Sequence, residues 1–435
     1  MRTRIARWSP ARRGLLAIMS GVAGGQLLAL LASPILGRLF PPNEFGPFAV
    51  VNAAVMSIGT IAALRLELAI PLPMREGMAR DVARLGLQIC TAFGTCGLAI
   101  AWIARYQLAA GLGQSHSVAA LVPWVPVIAA EVGAFAVLNQ LAIRQKAYGA
   151  IARRSVLQAG ATVVAQIGGG FAGLGSQGLA LGLAIGQGVG VVTLWASTRP
   201  DSREHATVRA STRRILKRFR SFPLLLAPAG LLNSLGLQIP VLLASALFGV
   251  EVSGWLGMTQ RILALPIALL GTTLAQVYLG EFGEAKRADS DQLAALFVRT
   301  SKRLAVAGVV IAAVVMLLGP LGFSVVLGSQ WETSGAYAQA LAIGLVIQMV
   351  ASPLSQTLIV MERNLQQFIW DIGRLAFSAV AVYGGYHVGF SALTSMWLLG
   401  GAMAISYALL WWLSWRAVRS ATVHLPTRNS WSTAC

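Results

Sequence analysis

Apolar runs about long enough to cross a bilayer recur twelve times along this chain, separated by short polar gaps. They lie at 14–36, 46–64, 85–104, 118–140, 155–172, 178–196, 222–248, 254–280, 304–327, 335–361, 367–388 and 391–414. A spanning helix needs roughly 20 mostly apolar residues, so the pattern predicts an all-α polytopic membrane protein of about twelve transmembrane helices. Composition agrees, with 56% hydrophobic residues, 11% charged residues and a mean hydropathy of +0.69. A water-soluble chain of 435 residues could not hide that much apolar surface.

Charge adds orientation. Of the 34 Lys and Arg residues, 30 fall in alternate gaps, from Arg2 to Arg13 before the first run to Arg416, Arg419 and Arg428 after the last. The opposite gaps hold only Arg38 and Arg105, while Arg261 and Arg374 sit inside runs. Basic residues beside short loops stay in the cytoplasm, which predicts that both termini are cytoplasmic. The net charge of +19 thus reads as a topology signal and an attraction to anionic lipid headgroups, with no nucleic acid implied.

Few chemical motifs compete. Cys90 and Cys96 lie within the third run and Cys435 ends the chain, so neither a disulfide framework nor a metal cluster is expected. There is no nucleophile–base constellation, phosphate loop or dinucleotide fingerprint. The expectation is a transporter rather than an enzyme, without a cofactor.

Internal repetition points to two halves. Leu39-Phe40 followed by Gly46 recurs as Leu247-Phe248 followed by Gly254, the same frame 208 residues later. Six runs stand on either side of a basic stretch. The expected organisation is a six-helix lobe over 1–198, a basic cytoplasmic linker over 199–221, a second six-helix lobe over 222–414 and a cytoplasmic tail over 415–435.

Ser33-Pro34-Ile-Leu-Gly-Arg38-Leu-Phe-Pro-Pro-Asn-Glu44-Phe-Gly46, then Leu64-Arg65-Leu-Glu67, closely resembles the first two spans of Wzx-type O-antigen and exopolysaccharide flippases. Phe219-Arg-Ser-Phe222-Pro223, Arg261-Ile-Leu-Ala-Leu-Pro266, Gln276-Val277, Gly328-Ser-Gln-Trp331-Glu332 and Ser352-Pro353-Leu354-Ser355 follow in the order of that family, a polysaccharide branch of the multidrug/oligosaccharidyl-lipid/polysaccharide exporter superfamily. The resemblance implies a V-shaped fold. It also implies transfer of an undecaprenyl-pyrophosphate-linked oligosaccharide from the cytoplasmic to the periplasmic leaflet, with a polysaccharide polymerase and a chain-length regulator as partners. Within the superfamily the alternative is a multidrug antiporter; a membrane polysaccharide polymerase or ligase would need larger outward loops than the gaps allow.

A hydroxyl-rich glycan cannot enter hydrocarbon unless a wet, polar cavity receives it. Candidate cavity groups are Gln26, Asn52, Asn233, Gln238, Gln260 and Arg261, with Gln276, Gln348 and Gln356 as further buried amides that could equally bond helix to helix. Arg261, about 10 Å inside the boundary if its helix starts at Gly254, is the leading phosphate or sugar ligand. Glu131, a lone carboxylate at depth, is the candidate coupling site for H+ or Na+. The pairs Arg65–Glu67 and Asp371–Arg374, near the cytoplasmic ends of their helices, read as gate groups or helix-end anchors, and Arg38 as an outer-gate group. Gly178, Gly182, Gly186 and Gly190 form a small-residue ridge expected to serve as a packing seam.

Overall fold

The computed structural model describes residues 10–110, 116–199, 211–266, 278, 280–284 and 292–423. Gln276, most of the basic linker (200–210) and the chain beyond 423 lie outside the described residues. Among the described residues there is helix and no strand, as lipid demands of a chain that must satisfy its own backbone hydrogen bonds.

The first half comprises α1 (Pro10–Leu31), α2 (Ser33–Leu39), α3 (Pro42–Gly59), α4 (Glu76–Ile103), α5 (Arg105–Ala110), α6 (His116–Leu121), α7 (Trp124–Arg144), α8 (Tyr148–Phe171) and α9 (Gly175–Ser197). The basic α10 (Thr212–Arg218) leads into the second half: α11 (Ala227–Phe248), α12 (Val250–Pro266), α13 (Leu293–Leu327), α14 (Glu332–Leu354), α15 (Gln356–Val360), α16 (Asn364–His387) and α17 (Ala392–Val423). Each predicted run meets a helix, although residues 267–277 of the 254–280 run lie outside the described residues. Boundaries differ where a turn interrupts: Ala32 breaks the first run into α1 and α2, and α12 begins at Val250, four residues before the expected Gly254. Proline opens α3, with Pro42 at a position where a missing N–H costs nothing.

Among the described residues, eight segments are long and apolar enough to cross a membrane. The other four long helices, α3, α8, α12 and α16, are shorter or more polar.

Within the first half, α8 packs on α1 and α9, and α7 on α3, α4 and α9; within the second, α14 packs on α13 and α17, and α16 on α11 and α17. The lobes meet where α3 lies against α11 and α12, and α2 touches α13. The largest buried core crosses this junction, joining Leu36, Phe40, Phe45 and Val55 to Val241, Leu256, Trp331 and Tyr337.

At the centre of the junction the repeated frame meets itself. Gly46 lies against the Val250 carbonyl, and Gly254 against the Pro42 carbonyl. Because Pro42 and Val250, like Gly46 and Gly254, are 208 positions apart, these are one contact seen from both sides of a pseudo-two-fold axis. A Cβ at either glycine would collide with main chain. Gly46→Leu should therefore pry α3 from α12 and lower the apparent unfolding temperature in detergent by several degrees, in keeping with the ~1–3 kcal/mol typical of overpacking. Gly401→Ala in α17, where a Cβ meets nothing, should leave it unchanged or raise it. Equal midpoints for the two variants, read by intrinsic fluorescence, would contradict the close-contact role of Gly46.

Candidate functional site: a polar cavity between the lobes

A cavity of about 550 Å³ opens between the lobes, walled by α1, α3, α8, α11 and α12. A second, of about 230 Å³, lies in the second lobe between α11, α12, α14, α16 and α17. Gln238, Gln260 and Ala264 line both.

The structure brings five of the sequence-predicted binding residues into the larger cavity: Gln26, Asn52, Gln238, Gln260 and Arg261. Depth explains their meeting. Asn52 is ten residues into α3, Gln238 ten residues before the end of α11 and Arg261 eleven into α12, so each lies roughly 15 Å from the same face at 1.5 Å per residue. This corrects Arg261, which the later helix start had placed at about 10 Å. Its guanidinium Nε makes no hydrogen bond, and no carboxylate lies within ion-pair distance of it among the described residues.

Sequence reading missed a second cavity arginine. Arg154 had been counted with a basic gap, yet it lies six residues into α8 and lines the cavity with Gln158, Thr162 and Gln166. These four residues recur every fourth position, which is the signal that could have found them: one polar ridge on one helical face. The glycine ridge of α9 receives it. Gly182 lies against Gln166, Gly186 against Thr162, and Gly190 2.8 Å from Gln158 Oε1 and 3.1 Å from Arg154 Nε, measured from where a Cβ would stand. The guanidinium of Arg154 lies over the Phe135 ring at 3.5 Å, an arrangement that stabilises a cation without neutralising it.

Asn233 and the Asp371–Arg374 pair stand differently. Arg374 is ten residues into α16 rather than at its end, is 5% exposed and borders the smaller cavity. It donates to both the carbonyl O and Oδ1 of Asn233 at 2.9 Å and to the Tyr407 hydroxyl at 3.1 Å, with Asp371 Oδ1 3.5 Å away. Its two terminal nitrogens tie α11, α16 and α17 together, while its Nε makes no hydrogen bond. Glu131, on α7, faces Gly188 of α9 and lies outside both cavity walls; its Oε2 makes no hydrogen bond, and no Lys or Arg is within ion-pair distance among the described residues.

Both ends of the interlobe space are closed by contacts across it. At the end carrying the Gly46–Gly254 junction, Gln330 Nε2 and Trp331 Nε1 each donate to the Gly37 carbonyl at 2.7 Å, and Trp331 meets Phe45 edge to face. Arg38, beside Gly37, is exposed and is not part of this contact. At the basic end, the Thr60 and Ser234 hydroxyls are 2.8 Å apart. Arg65, held by a left-handed turn with φ 59°, sets its guanidinium against Gly230 of α11 and lies 3.6 Å from Glu67. Burial pushes the Glu67 carboxyl above the usual carboxylate range against the pull of a backbone hydrogen bond and Arg65.

The structure is a two-lobed helical membrane fold around a cavity lined by amides and two arginines. The family model described as polysaccharide biosynthesis protein matches residues 35–336, and the chain belongs to that family. No curated protein sequence matches significantly. Among solved structures, an inward-facing multidrug resistance MATE family transporter of the MOP superfamily superposes with a TM-score of 0.69 at 17% identity, covering 94% of this chain and 96% of the other. A MOP superfamily transporter from Pyrococcus furiosus, whose binding pocket is described as reversed in polarity, gives 0.65 at 17% over 95% and 97%. The lipid II flippase MurJ, in an inward closed conformation, gives 0.68 at 12% over 92% and 88%.

The Arg374 network generates a stability prediction. Arg374→Leu leaves Asp371 without its cation and the Tyr407 hydroxyl without its donor, which for a broken buried pair costs about 3–5 kcal/mol. Its apparent unfolding temperature should fall well below that of Arg261→Leu, and adding Asp371→Asn should recover part of the loss. A midpoint for Arg374→Leu equal to that of Arg261→Leu would remove the structural assignment.

Proposed function

We propose that this protein is a flippase for undecaprenyl-pyrophosphate-linked oligosaccharides, moving repeat units from the cytoplasmic to the periplasmic leaflet of a bacterial inner membrane for O-antigen or exopolysaccharide assembly. The observation that carries the reading is the cavity's charge: Arg154 and Arg261 line it, and among the described residues no carboxylate does. An anionic headgroup is attracted there, whereas an amphiphilic drug cation, the cargo of a multidrug antiporter, meets two like charges. The amides and the hydroxyl of Thr162 supply the donors and acceptors that sugar hydroxyls lose on leaving water. Membership of a polysaccharide biosynthesis family supports the same cargo class.

In this reading the basic end is cytoplasmic, by the distribution of Lys and Arg, and both termini lie there. Arg65, Glu67, Thr60 and Ser234 close the inner mouth; Gly37, Gln330 and Trp331, with Arg38 nearby, close the outer. Polymerase and chain-length regulator act on the delivered product. Deleting the protein should leave lipid-linked repeat units on the inner leaflet, measured by their inaccessibility to a periplasmic ligase. Normal periplasmic delivery in a strain without a paralogue would reject the function.

Two arginine series test the ligand roles. Arg261→Lys keeps the charge and loses the planar fork, so it should retain part of the transport that Arg261→Ala loses; Arg154→Ala should also reduce transport, by roughly tenfold for about 1.4 kcal/mol of lost headgroup binding. Transport in proteoliposomes equal to the parent at matched protein levels, for both alanine variants, would exclude arginine ligation.

Glu131 is the coupling residue in this proposal, exchanging a proton or Na+ as the lobes rock. Glu131→Gln, which mimics the protonated form, should bind substrate but respond weakly to an imposed pH or sodium gradient, and Glu131→Asp should be milder. Gradient stimulation of the glutamine variant equal to that of the parent would return Glu131 to a packing role.

A further inference from the structure

A separate cavity of about 640 Å³ stands at the outer end of the interlobe junction, just beyond its seal. Both lobes build it: Pro41 and the start of α3 on one side, and α12 with the facing ends of α13, α14 and α17 and the α13–α14 turn on the other. Gln330 belongs at once to its wall and to the seal, through its hydrogen bond to Gly37. The chemistry of this wall is unlike that of the central cavity. It holds the carboxylates of Glu251 and Glu332, the amides of Asn43 and Gln330 and the hydroxyl of Thr333, and no Lys or Arg. Trp255 completes it. The indole N–H is already given to the Gln330 carbonyl at 3.0 Å, so what Trp255 has left for a ligand is its apolar ring.

We infer that this outer vestibule is a binding site for the glycan portion of the cargo, and that it selects oligosaccharides that are uncharged or carry amino groups. The inference rests on the flippase reading and deepens it. Carboxylates accept hydrogen bonds from paired sugar hydroxyls, amides both donate and accept, and an indole face covers the C–H side of a pyranose ring. The volume lies within the ordinary range of ligand sites, about 300–1,000 Å³. Two carboxylates with no cation in the same wall repel uronic acids and phosphate. The path is thereby divided: an arginine-lined interior holds the pyrophosphate, and an acidic exterior accepts the sugars and turns the phosphate away.

The test uses full-length protein in nanodiscs and two probes: the oligosaccharide released by mild acid from the cells' own lipid-linked pool, and undecaprenyl pyrophosphate bearing no sugar. The parent should bind both. Glu251→Gln combined with Glu332→Gln, changes at exposed positions, should weaken the free oligosaccharide at least fivefold, and Thr333→Trp, which fills the vestibule, at least tenfold. Binding of sugar-free undecaprenyl pyrophosphate should stay within twofold. Oligosaccharide binding that is unaltered in both variants, or absent from a parent that binds the sugar-free lipid, would overturn the vestibule site while leaving the flippase reading in place. A repeat unit rich in uronic acids that binds as tightly as a neutral one would overturn the selectivity. A parent that binds neither probe would reject the flippase reading itself, and the vestibule with it.

Discussion

The structure depends on a main-chain contact, the meeting of Gly46 with Val250 and of Gly254 with Pro42 across the lobe junction. In lipid there is little hydrophobic gain in bringing helices together, because the tails are as apolar as the side chains; association relies on close van der Waals approach and hydrogen bonds. Two glycines placed by one repeated frame permit that approach on both sides of the axis. Ser253 adds a hydrogen bond to the Gly46 carbonyl at 3.3 Å. The cavity below and the vestibule above are both positioned by this junction, since α3 and α12 contribute to the walls of the first and the ends of the same helices border the second.

Placing polar groups at mid-membrane exacts its own condition. The four long helices outside the set of apolar spans, α3, α8, α12 and α16, are those that carry Asn52, the Arg154–Gln166 ridge, Gln260 with Arg261, and Arg374. None faces lipid on all sides: α3 and α12 form the junction, α8 is held between α1 and α9, and α16 between α11 and α17. The polar helices α8 and α16 turn apolar residues such as Val164 and Val380 outward and their polar groups toward the cavities, whose walls they share with apolar spans such as α11. The three arginines on these helices then separate by partner. Arg374 is paired within its own lobe and serves as a tie, whereas Arg154 and Arg261 line the shared space with no carboxylate in ion-pair distance among the described residues.

The all-helical membrane fold and five of the polar residues that line the interlobe cavity were legible in the sequence because hydropathy and in-span polarity report the local environment directly. The recurrence of Leu-Phe before Gly46 and Gly254, weak as a pattern, located the junction. What escaped was any property set by two helices together. Arg154 read as a loop cation because the run of apolar residues starts after it; its four-residue spacing with Gln158, Thr162 and Gln166 marks a polar face, but the partner ridge of α9 and the cavity wall show which way that face points. The same blindness made that glycine ridge read as a bare seam, although its missing side chains make room for polar ones. Asp371 and Arg374 read as a helix-end pair because the helix start was placed at residue 367, when α16 begins at Asn364; their ties to Asn233 and Tyr407 span chain separations that no local pattern records.

The glycines at the junction also bear on how such a chain can diverge. When two side chains press on each other, enlargement of one can be offset by reduction of the other, and the pair leaves a trace of correlated substitution. Gly46 and Gly254 press on carbonyl oxygens, and no codon change makes a carbonyl smaller. A search for correlated pairs among relatives would then pass over the contact that holds the two halves together, and find the lobe interface instead through its neighbours, such as Phe45 with Trp331 and Thr60 with Ser234.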